Sequence, residues 1–127
     1  MTKRLLICIL FALAIPLAAQ TCPTGITHCT TLTWTWTQAT GTDPAVGFHV
    51  FRAATCAALS PLPAPLATIT GSTNTTYTDA TTAAGNQFCY GVTAYNSAGD
   101  SPAALSSLLT TPFQVPSVPT GVSGTAK

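Results

Sequence analysis

The segment Thr30–Thr37, TTLTWTWT, alternates without interruption: Leu32, Trp34 and Trp36 fall on one side and threonines on the other. A period of two with β-branched residues outward predicts a half-buried strand. Val46–Ala53 (VGFHVFRA) repeats the pattern, with Val46, Phe48 and Val50 on one face and His49 and Phe51 on the other. Leu66–Thr70 and Thr75–Asp79 read as two short strands parted by Gly71–Asn74. Phe88–Tyr95 sets Phe88, Tyr90, Val92 and Ala94 against Cys89, Gly91, Thr93 and Tyr95, and Ala103–Thr111 makes a last strand. Between them lie the turn-rich stretches ATGTDPA, TTAAGNQ and NSAGDSP, and a proline-rich SPLPAP that does not fit a central strand. Short strands at regular spacing, with no helical period after the N-terminal run, predict an all-β sandwich of two sheets. Its expected core is Leu32, Trp34, Phe48, Val50, Tyr77, Phe88, Tyr90, Val92 and Ala94.

The N-terminal run is of another kind. Lys3 and Arg4 precede an apolar stretch, Leu5–Leu17, of about 13 residues, where roughly 20 are needed to span a bilayer. Ala18 and Ala19 follow, so residues 1–20 read as a secretory signal peptide that is removed. Gln20-Thr21 stand before Cys22, where a lipoprotein signal would place a small residue. The expected location is secreted and extracellular, with no membrane attachment after signal removal.

Charge is scarce. The chain has 127 residues, enough for one domain, and 6% of them are charged. Without the signal, Arg52 and Lys127 face Asp43, Asp79 and Asp100, a formal charge of −1. That balance excludes a nucleic-acid binder, whose affinity rests on many cations. It also leaves little repulsion between copies.

Cys22, Cys29, Cys56 and Cys89 remain after signal removal, an even number suited to an oxidising compartment. Four cysteines allow three pairings. A Cys-x-x-Cys pair is lacking, which speaks against zinc despite His28 beside Cys29. No metal and no cofactor is expected.

In order, LTW, GFHVFR, TTYTD and AGNQFCYGVTAYNSAGDS resemble a fibronectin type III domain over Thr30–Thr111. Trp34 stands for the family's strand-B tryptophan, Phe48 and Val50 for the strand-C pair, and Tyr77 and Asp79 for the Tyr-x-Asp before the E–F turn. Gly85, Phe88, Val92 and Ala94 mark strand F, and Asn96–Ser101 the F–G turn. The resemblance implies an immunoglobulin-like sandwich of about seven strands. It also exposes a departure: Phe88 occupies the place of the strand-F tyrosine whose hydroxyl ties the E–F corner. In the resembled fold strands C and F are neighbours, which implies a Cys56–Cys89 bond from the C–C′ loop to the outer face of strand F. Cys22 and Cys29 then close a small N-terminal loop.

Catalytic chemistry is not indicated. His28 and His49 are the only histidines, and His49 is expected on the solvent side of its strand. Asp43, Asp79 and Asp100 are expected in turns, bonding their own backbone. No nucleophile elbow and no paired carboxylates occur in the sequence, so no enzyme is expected. The outer face of the C–F sheet is the candidate contact face: Phe51, Tyr95, Thr93 and His49, beside Gly91. Trp36 faces the core but lies near the strand end, within reach of the rim. Asn74-Thr75-Thr76 is a glycosylation sequon, relevant in a eukaryotic source.

The two ends echo each other. Pro23-Thr24-Gly25-Ile26 resembles the opening of the family's strand A, but Trp34 follows too soon, so residues 21–29 are expected to hold a truncated strand A. Residues 112–127 carry a fuller copy, and Pro119, Thr120, Gly121, Val122 and Ser123 form a candidate donor strand for a neighbouring molecule. The expected function is a secreted, non-catalytic structural or adhesive module that meets other copies of itself or another extracellular protein, with head-to-tail filaments as its extended form. The alternative is a monomeric carbohydrate- or surface-binding module that takes a polysaccharide, or a single unit from a tandem fibronectin type III protein.

Overall fold

The computed structural model describes residues 21–113 and Ser123. It is all-β, with strands β1 (Thr30–Thr33), β2 (Gly47–Ala53), β3 (Ala67–Thr70), β4 (Thr76–Asp79), β5 (Gln87–Asn96), β6 (Gly99–Asp100), β7 (Ala104–Leu105) and β8 (Leu109–Thr110). β1 pairs with β4 in a small antiparallel sheet, with Leu32 opposite Tyr77. In the main sheet β3, β2 and β5 lie side by side, and β6, β7 and β8 pair in turn with β5. All these pairings are antiparallel.

Between the sheets Leu32, Trp34, Phe48, Val50, Tyr90, Val92 and Ala94 form one buried cluster. Trp36, Tyr77 and Phe88 are partly buried against it. Trp34 and Trp36 both meet the Phe48 ring edge-on, at 5.3 and 5.7 Å. Val46, expected on this face, is instead 51% exposed, because the strand begins only at Gly47.

Several expected boundaries shift for identifiable reasons. The TTLTWTWT segment is strand only to Thr33, since its partner β4 begins at Thr76; beyond it a single bond, from the Trp34 amide to the Thr75 carbonyl, continues the pairing. The expected last strand, Ala103–Thr111, is broken into β7 and β8, and β6 forms inside the expected turn. Serine hydroxyls interrupt it. Within it the Ser106 Oγ accepts the Tyr90 amide, and just ahead of it the Ser101 Oγ accepts the Ala94 amide, so side chains take bonds a continuous strand would give to carbonyls.

The expected truncated strand A is not a strand. Pro23–Ile26 is a turn, closed by the Ile26 amide on the Pro23 carbonyl, with Gly25 at φ 82°. Cys22–Cys29 closes it covalently. The signal segment, residues 1–20, and the candidate donor residues Pro119, Thr120, Gly121 and Val122 lie outside the described residues; Ser123 is exposed.

A 3-10 turn, Cys56–Leu59, was not foreseen. Thr55 caps it, its Oγ1 accepting the Ala58 amide. Within the connection 54–66, Cys56, Leu59 and Leu62 lie over the outer face of the main sheet, while Leu66 packs on the inner core and its amide donates to the Val50 carbonyl. On the outer face Phe51, Leu59 and Cys89 form a second buried cluster, with Ala53, Cys56 and Leu62 against it. Cys56 is bonded to Cys89.

Candidate functional site

The outer face of the main sheet is divided in two. Alternation along β2 sends His49 and Phe51 to this face, and β5 sends Cys89, Gly91, Thr93 and Tyr95. Phe51, however, is 3% exposed and Thr93 is fully buried, so neither belongs to an open contact face as expected. Phe51 is covered by Leu59, and Thr93 lies beneath its cross-strand partner His49 and the Asp100 carboxylate.

The open half is built from His49, Tyr95 and Asp100. The His49 and Tyr95 rings stack in parallel, 4.2 Å apart and within 7°. His49 Nδ1 donates to Asp100 Oδ2 at 2.8 Å, and Thr93 Oγ1 donates to the same oxygen at 2.7 Å. Asp100 therefore stands on strand β6 and bonds side chains across the sheet, not its own turn. Burial alone would raise the Asp100 pKa, but the bonds from His49 and Thr93 outweigh it and hold the carboxyl below its ordinary value. Thr68, exposed, sits opposite His49 on β3 and extends the face.

This arrangement does not form a hydroxyl relay. A nucleophile would have to reach the free Nε2 of His49, yet the Thr93 hydroxyl is committed to the carboxylate on the Nδ1 side. What it presents is a stacked pair of rings beside a carboxylate that fixes the imidazole.

No family model, no curated protein and no solved structure matches the chain. Function is therefore argued from the side chains alone. Among the described residues, no group of three or more His, Cys, Asp and Glu side chains is placed to hold a metal ion. Among them, too, no helix is long and apolar enough to cross a membrane.

A second polar constellation lies between the sheets. Arg52 follows Phe48 and Val50 on the inward face of β2, and its Nη1 donates to Asp79 Oδ2 at 2.6 Å. The Tyr90 hydroxyl donates to the same oxygen at 2.9 Å, and Thr81 donates to Oδ1 through both its amide and its hydroxyl. Asp79, expected in a turn, is fully buried at the end of β4, although its bond to the Thr81 amide is the local turn contact anticipated for it. The Arg52 guanidinium also lies 4.3 Å from the Phe88 ring centre. Phe88, which lacks the corner hydroxyl, thus serves as a platform for a cation, while Tyr90 ties the two sheets.

Proposed function

We propose that this chain is an extracellular, non-catalytic structural module that adheres through protein contacts, and that its partner on the His49–Tyr95–Asp100 face is a second copy of the same chain. The stacked His49–Tyr95 pair carries the reading. Large, rigid, amphipathic rings give contact area at little entropic expense, which is why such side chains dominate protein interfaces.

Two further features favour a second copy as the occupant. His49 and Asp100 are bonded to each other within one face, so an isologous contact would bring the same donor and acceptor groups together from both copies. Without the signal segment the chain carries a formal charge of −1, so copies repel little.

The fibronectin type III reading is part of this proposal. It is supported by β1 pairing with β4 and by β3, β2 and β5 standing side by side, the order that strands B–E and C′–C–F take in that family. The two disulfides are compatible with an oxidising, extracellular setting.

Sedimentation velocity over a rising concentration series tests the proposal. The wild-type chain is expected to show a reversible dimer, and Tyr95→Ala to weaken it roughly tenfold or more. A chain that stays monomeric throughout contradicts it. An assembly lost on deleting residues 115–127 but kept in Tyr95→Ala would place the contact in the C-terminal extension instead.

A further inference from the structure

The covered half of the outer face is held by a single covalent bond. Within the 54–66 connection the 3-10 turn satisfies itself: Ala58 donates to Thr55 and Ser60 to Ala57. What fastens this turn to the sheet is Cys56–Cys89 and the packing of Leu59 and Leu62. Both leucines, with Leu105 from β7, converge over Gly91; a Cβ there would meet Leu105 at 3.2 Å, Leu59 at 3.7 Å and Leu62 at 3.8 Å. At its far end the Leu66 amide donates to the Val50 carbonyl, so the connection is pinned to the sheet at Leu66 and, through the covalent bond, at Cys56.

The site is also prepared for the reduced state. The Ser106 carbonyl oxygen lies 3.1 Å from Cys89 Sγ and 3.5 Å from Cys56 Sγ. A thiol at either position finds an acceptor at once, so opening the bond strands no buried donor. The connection meets the main core at Leu66, beyond the covered patch, and the Arg52–Asp79–Tyr90 ties do not involve it.

We propose that Cys56–Cys89 is a redox latch: a dithiol reductant that opens it releases residues 54–65 from the outer face and uncovers Phe51 and Gly91, while the sandwich stays folded. Cys89 is fully buried and Cys56 only partly, so the attacking thiolate reaches the Cys56 sulfur. A mixed disulfide forms at Cys56, and Cys89 leaves as a thiolate and takes a proton. The reductant's second thiol then displaces the Cys56 thiolate, which is protonated in turn. The protein gains two electrons and two protons, and the dithiol becomes a disulfide. Phe51 meets the His49 ring edge-on at 6.3 Å, so its release extends the stacked pair into a row of three rings. The latch stands whether or not that face binds a second copy.

The test is a titration of the folded full chain with dithiothreitol. Alkylation and mass mapping report which bond has opened, and hydrogen exchange with tryptophan fluorescence reports the consequence. On opening Cys56–Cys89, amides of 54–65 are expected to exchange on the order of a hundredfold faster. Trp34 and Trp36 fluorescence should stay native, and the amides of β1 and β4 should remain far better protected than those of 54–65. The same titration on Cys22→Ser/Cys29→Ser assigns the effect to one bond. Loss of the tryptophan signal together with 54–65 protection would show a structural staple and overturn the latch. Unchanged protection of 54–65 in a chain proven reduced would overturn it equally.

Discussion

Arg52 and Asp79 bind each other across the interior, one from β2 in the main sheet and one from β4 in the small sheet, with Nη1 and Oδ2 2.6 Å apart. The carboxylate is wholly buried, while the arginine side chain retains 24% of its exposure. The pair joins the two sheets, and Tyr90, which ties them as well, and Thr81 complete the carboxylate's bonding.

Breaking the pair from one side leaves a buried group without its partner. Arg52→Met is expected to destabilise the fold by about 3–5 kcal/mol. Replacing both partners with apolar residues, Arg52→Met with Asp79→Leu, should recover much of that loss. Urea unfolding of the two variants beside wild type checks this; a double variant no better than the single one would contradict it.

The same carboxylate fixes the acid limb of stability. Burial raises the Asp79 pKa, but bonds from Thr81, Tyr90 and Arg52 outweigh it, and the net direction is downward. Folding thus favours the ionised form. This contribution is fully present above the ordinary carboxylate range, about pH 4, and is lost as pH falls through the lower folded value. The Tyr90 phenol moves the other way, raised first by burial and then by its bond to Asp79. Its contribution is complete below about pH 10 and is lost above it. Melting temperatures measured from acid to alkali should fall at both ends, and Tyr90→Phe should remove the alkaline contribution from that site.

Gly47 lies where β2 passes β3. A Cβ added there would sit 2.0 Å from the Ile69 carbonyl oxygen, a backbone atom that cannot turn aside. Gly47→Ala is expected to destabilise by about 1–3 kcal/mol, the ordinary penalty of overpacking. Exchange should quicken first in β3, through its pairing at Thr70.

The disulfides should differ in weight. Cys56–Cys89 spans a sequence separation of 33 and Cys22–Cys29 a separation of 7. Chain entropy gives about 3–4 kcal/mol for the longer loop and about 2 for the shorter. Calorimetry of Cys22→Ser/Cys29→Ser and Cys56→Ser/Cys89→Ser should show the larger loss in the second.

Alternation made much of this architecture legible. Leu32, Phe48, Val50, Tyr90 and Val92 share a face because a strand has a period of two, and the sequence carries that period openly. Of the connection that follows Ala53 only SPLPAP carries a local signal, that of a loop, and Leu59 and Leu62, beside and among its prolines, follow no period. That is why Phe51 looked exposed. Arg52 did leave a signal: an arginine in phase with Phe48 and Val50 points inward and needs an anion. Which aspartate supplies it depends on the approach of two sheets, and no local pattern records that. The broken last strand escaped for a related reason, since Ser101 and Ser106 compete with the backbone only once β5 is beside them.

The most direct test of the contact face is an NMR dilution series on the folded chain. Concentration-dependent shifts are expected only at amides of 47–50 and 93–100, around His49, Tyr95 and Asp100, and should disappear in Tyr95→Ala. Spectra that do not change with concentration, or shifts that gather on β1 and β4 instead, would contradict it.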